Sequence, residues 1–260
     1  RLGRPLEDVP RLADIRDCSL FRDVEEMLAQ TAHSKKYRGE PSPCGKMQNM
    51  KVVCIQSIVN LTLWSEYGCI KRRVQDSHEQ LRKKSIGVST IMQPDVAAAI
   101  KKTFPWIELN ETLGEELLFH GTKHLEAIKE HGFNERFGSG RNLYGEGVYF
   151  TDQSCKAFQY TETDCNGNHC IIVARVILGE PYYTEGPLEG ERTAPLREPG
   201  NAVLGSYDSV IANVGIWNGI GASQLQSHRE FIVYDGKQAY PELAIYFEER
   251  DDTSDEESDS

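Results

Sequence analysis

Apolar residues occur in this chain as short runs separated by polar or glycine-rich stretches. Residues 170–178 form the clearest buried strand, and residues 50–58, 148–150 and 229–235 have the apolar and β-branched content of further strands. Apolar residues recur at helical spacing over residues 60–84. The inner face of that helix is predicted to carry Leu61, Trp64, Tyr67 and Val74. Separate strands interspersed with helices predict an α+β fold.

Shorter helices and connections lie between these strands. The spacing of apolar residues predicts helices over 21–32, 95–102, 123–131 and 153–160. Turn-forming residues dominate 33–48 and 180–228, which are predicted as connections, the second with a short strand near 210–212. A turn and a closing strand are predicted over 238–247. Long connections inside compact domains are usually functional or disordered, so residues 180–228 are expected to carry a functional loop.

Charge is unevenly distributed along the 260 residues, whose formal net charge is −11. Residues 1–113 hold 18 Lys and Arg against 14 Asp and Glu, residues 114–247 hold 10 against 18, and residues 248–260 hold one against eight. An acidic body is a poor electrostatic match for a nucleic-acid backbone, so this domain is not expected to bind nucleic acid. Basic clusters at 71–73 and 82–84 are interpreted as a solvated helix face.

The sequence also indicates a compartment. No run approaches the ~18 apolar residues that a membrane span needs, and the N-terminus lacks the apolar core of a signal peptide. Seven cysteines, an odd number without the spacing of a small disulfide scaffold, suggest reduced thiols. We therefore expect an intracellular protein, nuclear or cytoplasmic, without a membrane partner. Residue 1 is arginine rather than methionine, so the sequence is compatible with a fragment of a longer protein.

One stretch concentrates polar chemistry at the end of an apolar run. Residues 117–119 are apolar, and His120, Gly121 and Thr122 follow just before the helix predicted over 123–131. A strand that ends in this way leaves backbone amides and two polar side chains at its end. Such an arrangement suits recognition of a small polar ligand.

Four segments around this stretch share the order and separation of a known family. They are FHGT at 119–122, YGEGVYF at 144–150, REFIVYD at 229–235 and QAYPELAIYF at 238–247. Together they resemble the catalytic domain of poly(ADP-ribose) polymerases, also called diphtheria-toxin-like ADP-ribosyltransferases, and residues 50–67 resemble the early strand and helix of the smaller members. The resemblance implies two antiparallel sheets that form a central NAD cleft with flanking helices.

The resemblance also implies a reaction, the transfer of ADP-ribose from NAD to a macromolecular acceptor, expected to be a protein, with release of nicotinamide. Nicotinamide is a good leaving group because it is already cationic on its ribose. Catalysis then consists of holding the ring, exposing the anomeric carbon and stabilising an oxocarbenium-like charge. This chemistry requires no metal, and none is expected. The sequence leaves open whether single units or chains are transferred.

A division of the chain follows from this interpretation. Residues 1–20 are predicted to be a weakly ordered leader, and residues 21–247 to be the catalytic domain. Within the domain, 21–113 would be the front part and 114–247 the NAD-binding core. Residues 248–260 lack an apolar core and are predicted to be an acidic, disordered tail.

Three consecutive residues acquire roles from the resemblance. His120 is expected to hydrogen-bond the adenosine ribose, and Thr122 to help hold that ribose. Gly121 is expected to present its backbone N–H and C=O to the nicotinamide amide. A side chain at position 121 would intrude on the plane of the nicotinamide ring, which is a physical reason for glycine.

Two tyrosines are expected to sandwich the nicotinamide ring. Tyr149 lies at the end of a predicted strand and Tyr160 on the next helix, as in the family pattern. Ala157 departs from that pattern, since it stands where the family usually has a serine that bonds the nicotinamide amide. The loss of one hydrogen bond, worth ~0.5–1.5 kcal/mol net, predicts weaker NAD binding.

Glu230 matches the catalytic glutamate of the family. A carboxylate there can bond the 2′-hydroxyl of the nicotinamide ribose, stabilise developing positive charge and polarise an acceptor hydroxyl. His120, Tyr149 and Glu230 would form the family's H-Y-E set. In the family, glutamate accompanies chain-elongating members, while many mono-transferases carry an apolar residue.

A loop over the adenosine side is expected at 134–143. Its glycines make a mobile lid plausible, and it carries Arg136 and Arg141. One of the two arginines would contact the adenine ribose or the pyrophosphate, and Arg136 is the preferred candidate.

The sequence leaves a zinc site open as an alternative. Cys165, His169 and Cys170 offer three ligands, and Cys155 would have to supply the fourth that a closed structural site needs. A turn at 166–167 is the simpler interpretation, and no metal ligand is assigned.

Other functions are weighed against transfer. A module that binds NAD or ADP-ribose without turnover is favoured by Ala157 and by the short lid. An RNA 2′-phosphotransferase shares the broader fold but would need converging basic residues, against which the acidic body argues. A bacterial toxin of the Arg-Ser-Glu class lacks support, because its Ser-Thr-Ser strand is not found.

Overall fold

The computed structural model describes residues 18–32, 43–90, 97–137, 142–184, 186–212 and 228–250. The helices there are α1 (Cys18–Gln30), α2 (Pro43–Lys46), α3 (Leu61–Lys83), α4 (Ala98–Thr103), α5 (Leu125–His131) and α6 (Ser154–Phe158). The strands are β1 (Met50–Ser57), β2 (Glu115–Gly121), β3 (Val148–Phe150), β4 (His169–Ile177), β5 (Pro181–Thr184), β6 (Ser209–Ala212), β7 (Glu230–Val233) and β8 (Ala239–Glu249).

These strands form two sheets. The first has the order β1-β8-β4-β2 and is antiparallel throughout. The second has the order β3-β7-β6-β5, in which β7 is antiparallel to both neighbours and β5 runs parallel to β6. The predicted α+β class is confirmed, but the expectation of two purely antiparallel sheets is wrong for the β5–β6 pair. A long connection separates β5 from β6, and such a crossover lets the second strand start beside the first in the same direction.

The two sheets meet where β2 ends. Phe119 of β2 and Thr151, the residue after β3, form an antiparallel bridge. The Phe119 N–H donates to the Thr151 carbonyl at 2.7 Å, and the Thr151 N–H donates to the Phe119 carbonyl at 3.0 Å. The bridge therefore places the His-Gly-Thr end of the first sheet beside the Tyr149 strand of the second.

Helix α3 confirms the long helix predicted from apolar spacing. Asn60 caps it, because its side-chain oxygen accepts the Leu63 N–H at 3.2 Å. The buried face consists of Leu63, Tyr67, Ile70, Val74, His78 and Leu81. Leu61 was placed on the wrong face by the prediction, since it is 67% exposed. Two positions along a helix turn through roughly half a circle, so Leu61 and Leu63 cannot share a face.

Two short elements also differ from the sequence prediction. Helix α2 lies in the segment predicted as a loop, and it starts with Pro43, a residue suited to the first helical position. Strand β5 lies in the long connection, and its four residues are too few to show an alternating pattern. The predicted leader and tail lie mostly outside the described residues, although α1 begins at Cys18 and β8 continues to Glu249.

Candidate active site

His120 lies near the end of β2, opposite Ile172 of β4. Its Nδ1 is 2.8 Å from the carbonyl oxygen of Tyr149, which can only accept, so Nδ1 carries the proton. The ring packs edge-on against Phe133 and is tilted against Phe150. Burial lowers the pKa of His120, so the imidazole is neutral near physiological pH. Its Nε2 is therefore an acceptor, and a ligand group bound there must donate.

Tyr149, in the middle of β3, uses its hydroxyl within the protein. The hydroxyl donates to the Gly145 carbonyl at 2.9 Å and accepts the Tyr144 N–H at 2.9 Å. Burial raises the pKa of Tyr149 and the Glu230 carboxylate adds to the rise, so the phenol stays protonated. Because the hydroxyl is committed to the 144–145 turn, the aromatic face is what this tyrosine can offer a ligand.

Gly121 is required by packing against α6. A Cβ at position 121 would lie 1.7 Å from the carbonyl oxygen of Ala157 and 2.6 Å from its carbonyl carbon. Ala157 is itself only 2% exposed. The sequence interpretation attributed the glycine to a ligand ring, whereas the described contacts make it necessary for the α6 backbone to approach β2.

Glu230 opens β7 and is paired with Ala212 of β6. Its Oε1 lies 3.3 Å from Nζ of Lys156, and both side chains are mostly buried. Burial raises the pKa of Glu230, and the Lys156 ammonium opposes but does not cancel that rise. Burial alone would lower the pKa of Lys156, but Glu230 and Tyr160 raise it above its usual value, so the lysine stays charged.

Tyr160 follows α6 and is 56% exposed. The ammonium of Lys156 lies 5.2 Å from the centre of the Tyr160 ring, a cation–π geometry. Lys156 therefore contacts both the predicted glutamate and the second predicted tyrosine. Sequence reasoning did not assign it, although its position four residues before Tyr160 on a helix would place the two side chains together.

The remaining predicted residues lie at the periphery of this group. The Thr122 hydroxyl accepts the His124 N–H at 2.9 Å, and its own proton is still available for donation. Arg136 is exposed in a 3₁₀ turn, where its N–H donates to Asn134 Oδ1 at 3.0 Å. Arg141 lies outside the described residues.

The residues considered for zinc do not converge. His169 and Cys170 are neighbours on β4, so their side chains leave opposite faces of the sheet. His169 Nδ1 is 2.8 Å from the Thr161 hydroxyl, and burial raises the pKa of Cys170 to about 12, which opposes thiolate formation. Over the described ranges, no three His, Cys, Asp or Glu side chains are grouped so as to hold a metal ion. None of the helices described there is long and apolar enough to cross a membrane.

Comparison with known proteins gives a family match and several relatives. A family model described as "Poly(ADP-ribose) polymerase catalytic domain" matches residues 32–248. Mouse "Protein mono-ADP-ribosyltransferase PARP10" is 32% identical over 133 residues, which cover 49% of this chain and 12% of that protein.

"Protein mono-ADP-ribosyltransferase PARP11" is 26% identical over 245 residues in mouse, covering 85% of this chain and 60% of that protein. The human protein of the same name is 27% identical over 223 residues, covering 77% of this chain and 52% of that protein. The chain thus spans a small part of the first relative and little more than half of the other two.

Proposed function

Because the chain belongs to the poly(ADP-ribose) polymerase catalytic-domain family, we propose that it transfers ADP-ribose from NAD to a protein acceptor and releases nicotinamide. The observation that carries this proposal is the buried pair of Lys156 and Glu230, with Oε1 3.3 Å from Nζ, whose carboxylate acts electrostatically on Tyr149. A carboxylate held ionised in a buried position can stabilise a positive charge that develops during a reaction.

The adenosine side of NAD would be held by the end of β2. His120 Nε2 would accept a hydrogen bond from a hydroxyl of the adenosine ribose, since the neutral ring carries its proton on Nδ1. Thr122 and Arg136 would act at the same side, on the ribose and the pyrophosphate. An acceptor nitrogen suits a hydroxyl and disfavours an anionic phosphate, which supports this orientation of the dinucleotide.

The nicotinamide side would lie between Tyr149 and Tyr160, against the backbone of Gly121. Stacking of a flat ring on an aromatic side chain contributes about 1–3 kcal/mol by analogy with bases. The exposure of Tyr160 and the engaged hydroxyl of Tyr149 support a role for the ring faces. Ala157 lacks the hydroxyl that the family usually supplies there, so binding would depend on stacking and on the backbone.

In the reaction, the bond between nicotinamide nitrogen and the anomeric carbon breaks and its electron pair leaves with nicotinamide. Glu230 would accept a hydrogen bond from the 2′-hydroxyl of the same ribose and stabilise the cationic sugar. The acceptor nucleophile then bonds to the anomeric carbon and releases a proton, which Glu230 can help to remove. Lys156 would keep Glu230 ionised and oriented.

A single assay tests this proposal. The chain is incubated with NAD labelled in its adenosine part, while nicotinamide release and labelled protein are measured together. We expect release to accompany labelling, and Glu230→Gln to lower both strongly while leaving a measurable residual rate. NAD binding without nicotinamide release from the unaltered chain would contradict the proposal and favour a non-catalytic binding module.

Separating the labelled protein on a gel distinguishes transfer of a single ADP-ribose unit from transfer of a chain. The three relatives are named as mono-ADP-ribosyltransferases, which favours a single discrete band. Glutamate at position 230 is the residue associated with elongation, so a ladder would assign chain growth to this carboxylate.

A further inference from the structure

The pairing between β3 and β7 reaches Phe231 but does not include its neighbour Glu230. Its register pairs Val148 with Val233 and ends at Phe150 with Phe231. Beyond that point Thr151 bridges to Phe119 of the other sheet, so the backbone after β3 leaves β7. Glu230 keeps a strand partner on the β6 side only. Something other than a backbone ladder must therefore fix its direction on the β3 side.

Side chains of three consecutive residues take over where the ladder stops, and all of them bind Arg229. The Thr151 hydroxyl donates to the Arg229 carbonyl at 2.8 Å, and Gln153 Oε1 accepts the Arg229 N–H at 3.0 Å. Asp152 Oδ2 accepts the Arg229 Nε–H at 3.0 Å and also a hydrogen bond from Nη2. The two peptide units of Arg229 and its guanidinium are thus held at once.

Contacts of the neighbouring residues follow the same pattern. Cys155 Sγ lies 3.3 Å from His228 Nε2, and Lys156 Nζ lies 3.3 Å from Glu230 Oε1. Five residues of the segment 151–156 therefore contact 228, 229 or 230. The segment begins two residues after Tyr149 and ends just before Ala157, so it links the nicotinamide side of the site to the glutamate.

We propose that Arg229, through its ion pair with Asp152, is a positioning residue that fixes the direction of the Glu230 carboxylate. Arg229 directly precedes Glu230, the first residue of β7, so anchoring its carbonyl, its N–H and its guanidinium restricts the backbone from which the Glu230 side chain projects. The inference rests on the proposed transferase function. A misplacement of about 1 Å in a catalytic group can cost about 100-fold in rate. A variant that still folds but no longer holds the Glu230 carboxylate in place should therefore lose much of its activity.

The test compares Arg229→Gln and Arg229→Lys with the unaltered chain, measuring kcat and KM for nicotinamide release together with thermal unfolding. For Arg229→Gln we expect kcat to fall by at least about 10-fold with KM for NAD changed by less than about 3-fold, because the group acts through Glu230 in the transition state. Arg229→Lys should lose less, since it keeps the charge but not the two-pronged contact. Arg73→Gln is the matched control, because it removes an exposed ion pair with Asp235 beyond the other end of β7 and should leave kcat unchanged.

A double variant separates positioning from a merely structural role. If Arg229 acts through the carboxylate, adding Arg229→Gln to Glu230→Gln should cause no further loss of kcat, because the two effects are not additive. If the arginine variants do not fold, Thr151→Val provides a second test. It keeps the side-chain volume nearly constant but removes the hydroxyl that donates to the Arg229 carbonyl, so a smaller fall in kcat is expected, again without further loss on the Glu230→Gln background.

Two results would overturn the inference and leave the proposed function standing. One is an Arg229→Gln or Thr151→Val chain that keeps full kcat while Glu230→Gln has lost most of its kcat. The other is a double variant whose loss of kcat equals the product of the losses in Arg229→Gln and Glu230→Gln. An unaltered chain that releases no nicotinamide would overturn the proposed function, and this inference with it.

Discussion

Replacement of Lys156 by methionine tests whether the lysine sets the protonation of the proposed catalytic carboxylate. The substitution keeps an unbranched side chain only one atom shorter but removes the ammonium that lies 3.3 Å from Glu230 Oε1. At that distance and an effective dielectric of about 20, the pair is worth at most about 5 kcal/mol. A neighbouring ammonium lowers the pKa of a carboxyl group, so its removal should raise the pKa of Glu230.

The direction follows from the causes acting on Glu230. Burial raises the pKa of Glu230 and Lys156 lowers it, so removing the lysine leaves burial unopposed. The carboxylate is the active form, and activity is therefore lost as pH falls through the pKa of Glu230. Lys156→Met should move the acid limb of kcat/KM to higher pH, so that activity is lost earlier on acidification and returns as pH rises.

The assay is nicotinamide release between about pH 5 and about pH 9, with kcat/KM determined at each pH. Lys101→Met is the matched control, because Lys101 Nζ pairs with another buried carboxylate, Glu116, at 2.7 Å and should leave the limb in place. An acid limb that does not move in Lys156→Met would refute the reasoning. A uniform loss at every pH would refute it equally, because the lysine would then act by some means other than the charge of Glu230.

Three further substitutions test separate parts of the site. Ala157→Ser should lower KM for NAD by a few-fold, since one hydrogen bond is worth about 0.5–1.5 kcal/mol, and a KM that does not fall would count against the predicted contact. Gly121→Ala should lower the melting temperature by overpacking against Ala157, at a cost of about 1–3 kcal/mol, whereas Gly68→Ala on open helix surface should not destabilise. Tyr149→Phe should cost about 1–3 kcal/mol of stability by removing both hydrogen bonds between the hydroxyl and the 144–145 turn, and an unchanged melting temperature would show that the turn does not need the hydroxyl.

Local patterns were enough to predict the long elements of the fold. Apolar spacing predicts α3, and the unbroken apolar run predicts β4. Strand β5 escaped prediction because its four residues become a strand only by pairing with β6, which lies after a long connection. The face of Leu61 was also wrong, because apolar spacing near a helix start does not fix which of two leucines turns inward.

The site divides in the same way. His120, Tyr149 and Glu230 stand in recognisable segments, so a single sequence was enough to propose them. Lys156 and Arg229 acquire their importance from partners far away in sequence, Glu230 and Asp152 respectively, and no local pattern shows such pairing. Such pairs are visible only in the folded chain.

The electrostatic cost of the site itself favours catalysis over simple binding. A carboxylate and an ammonium that are both mostly buried lose hydration, and their mutual attraction often does no more than offset that loss. A module that only stacked nicotinamide between Tyr149 and Tyr160 would gain nothing from burying Glu230. A group that must stabilise a cationic sugar does gain, because a charge shielded from water acts more strongly on a transition state. The buried Lys156–Glu230 pair is therefore easier to explain by a transfer reaction than by NAD binding alone.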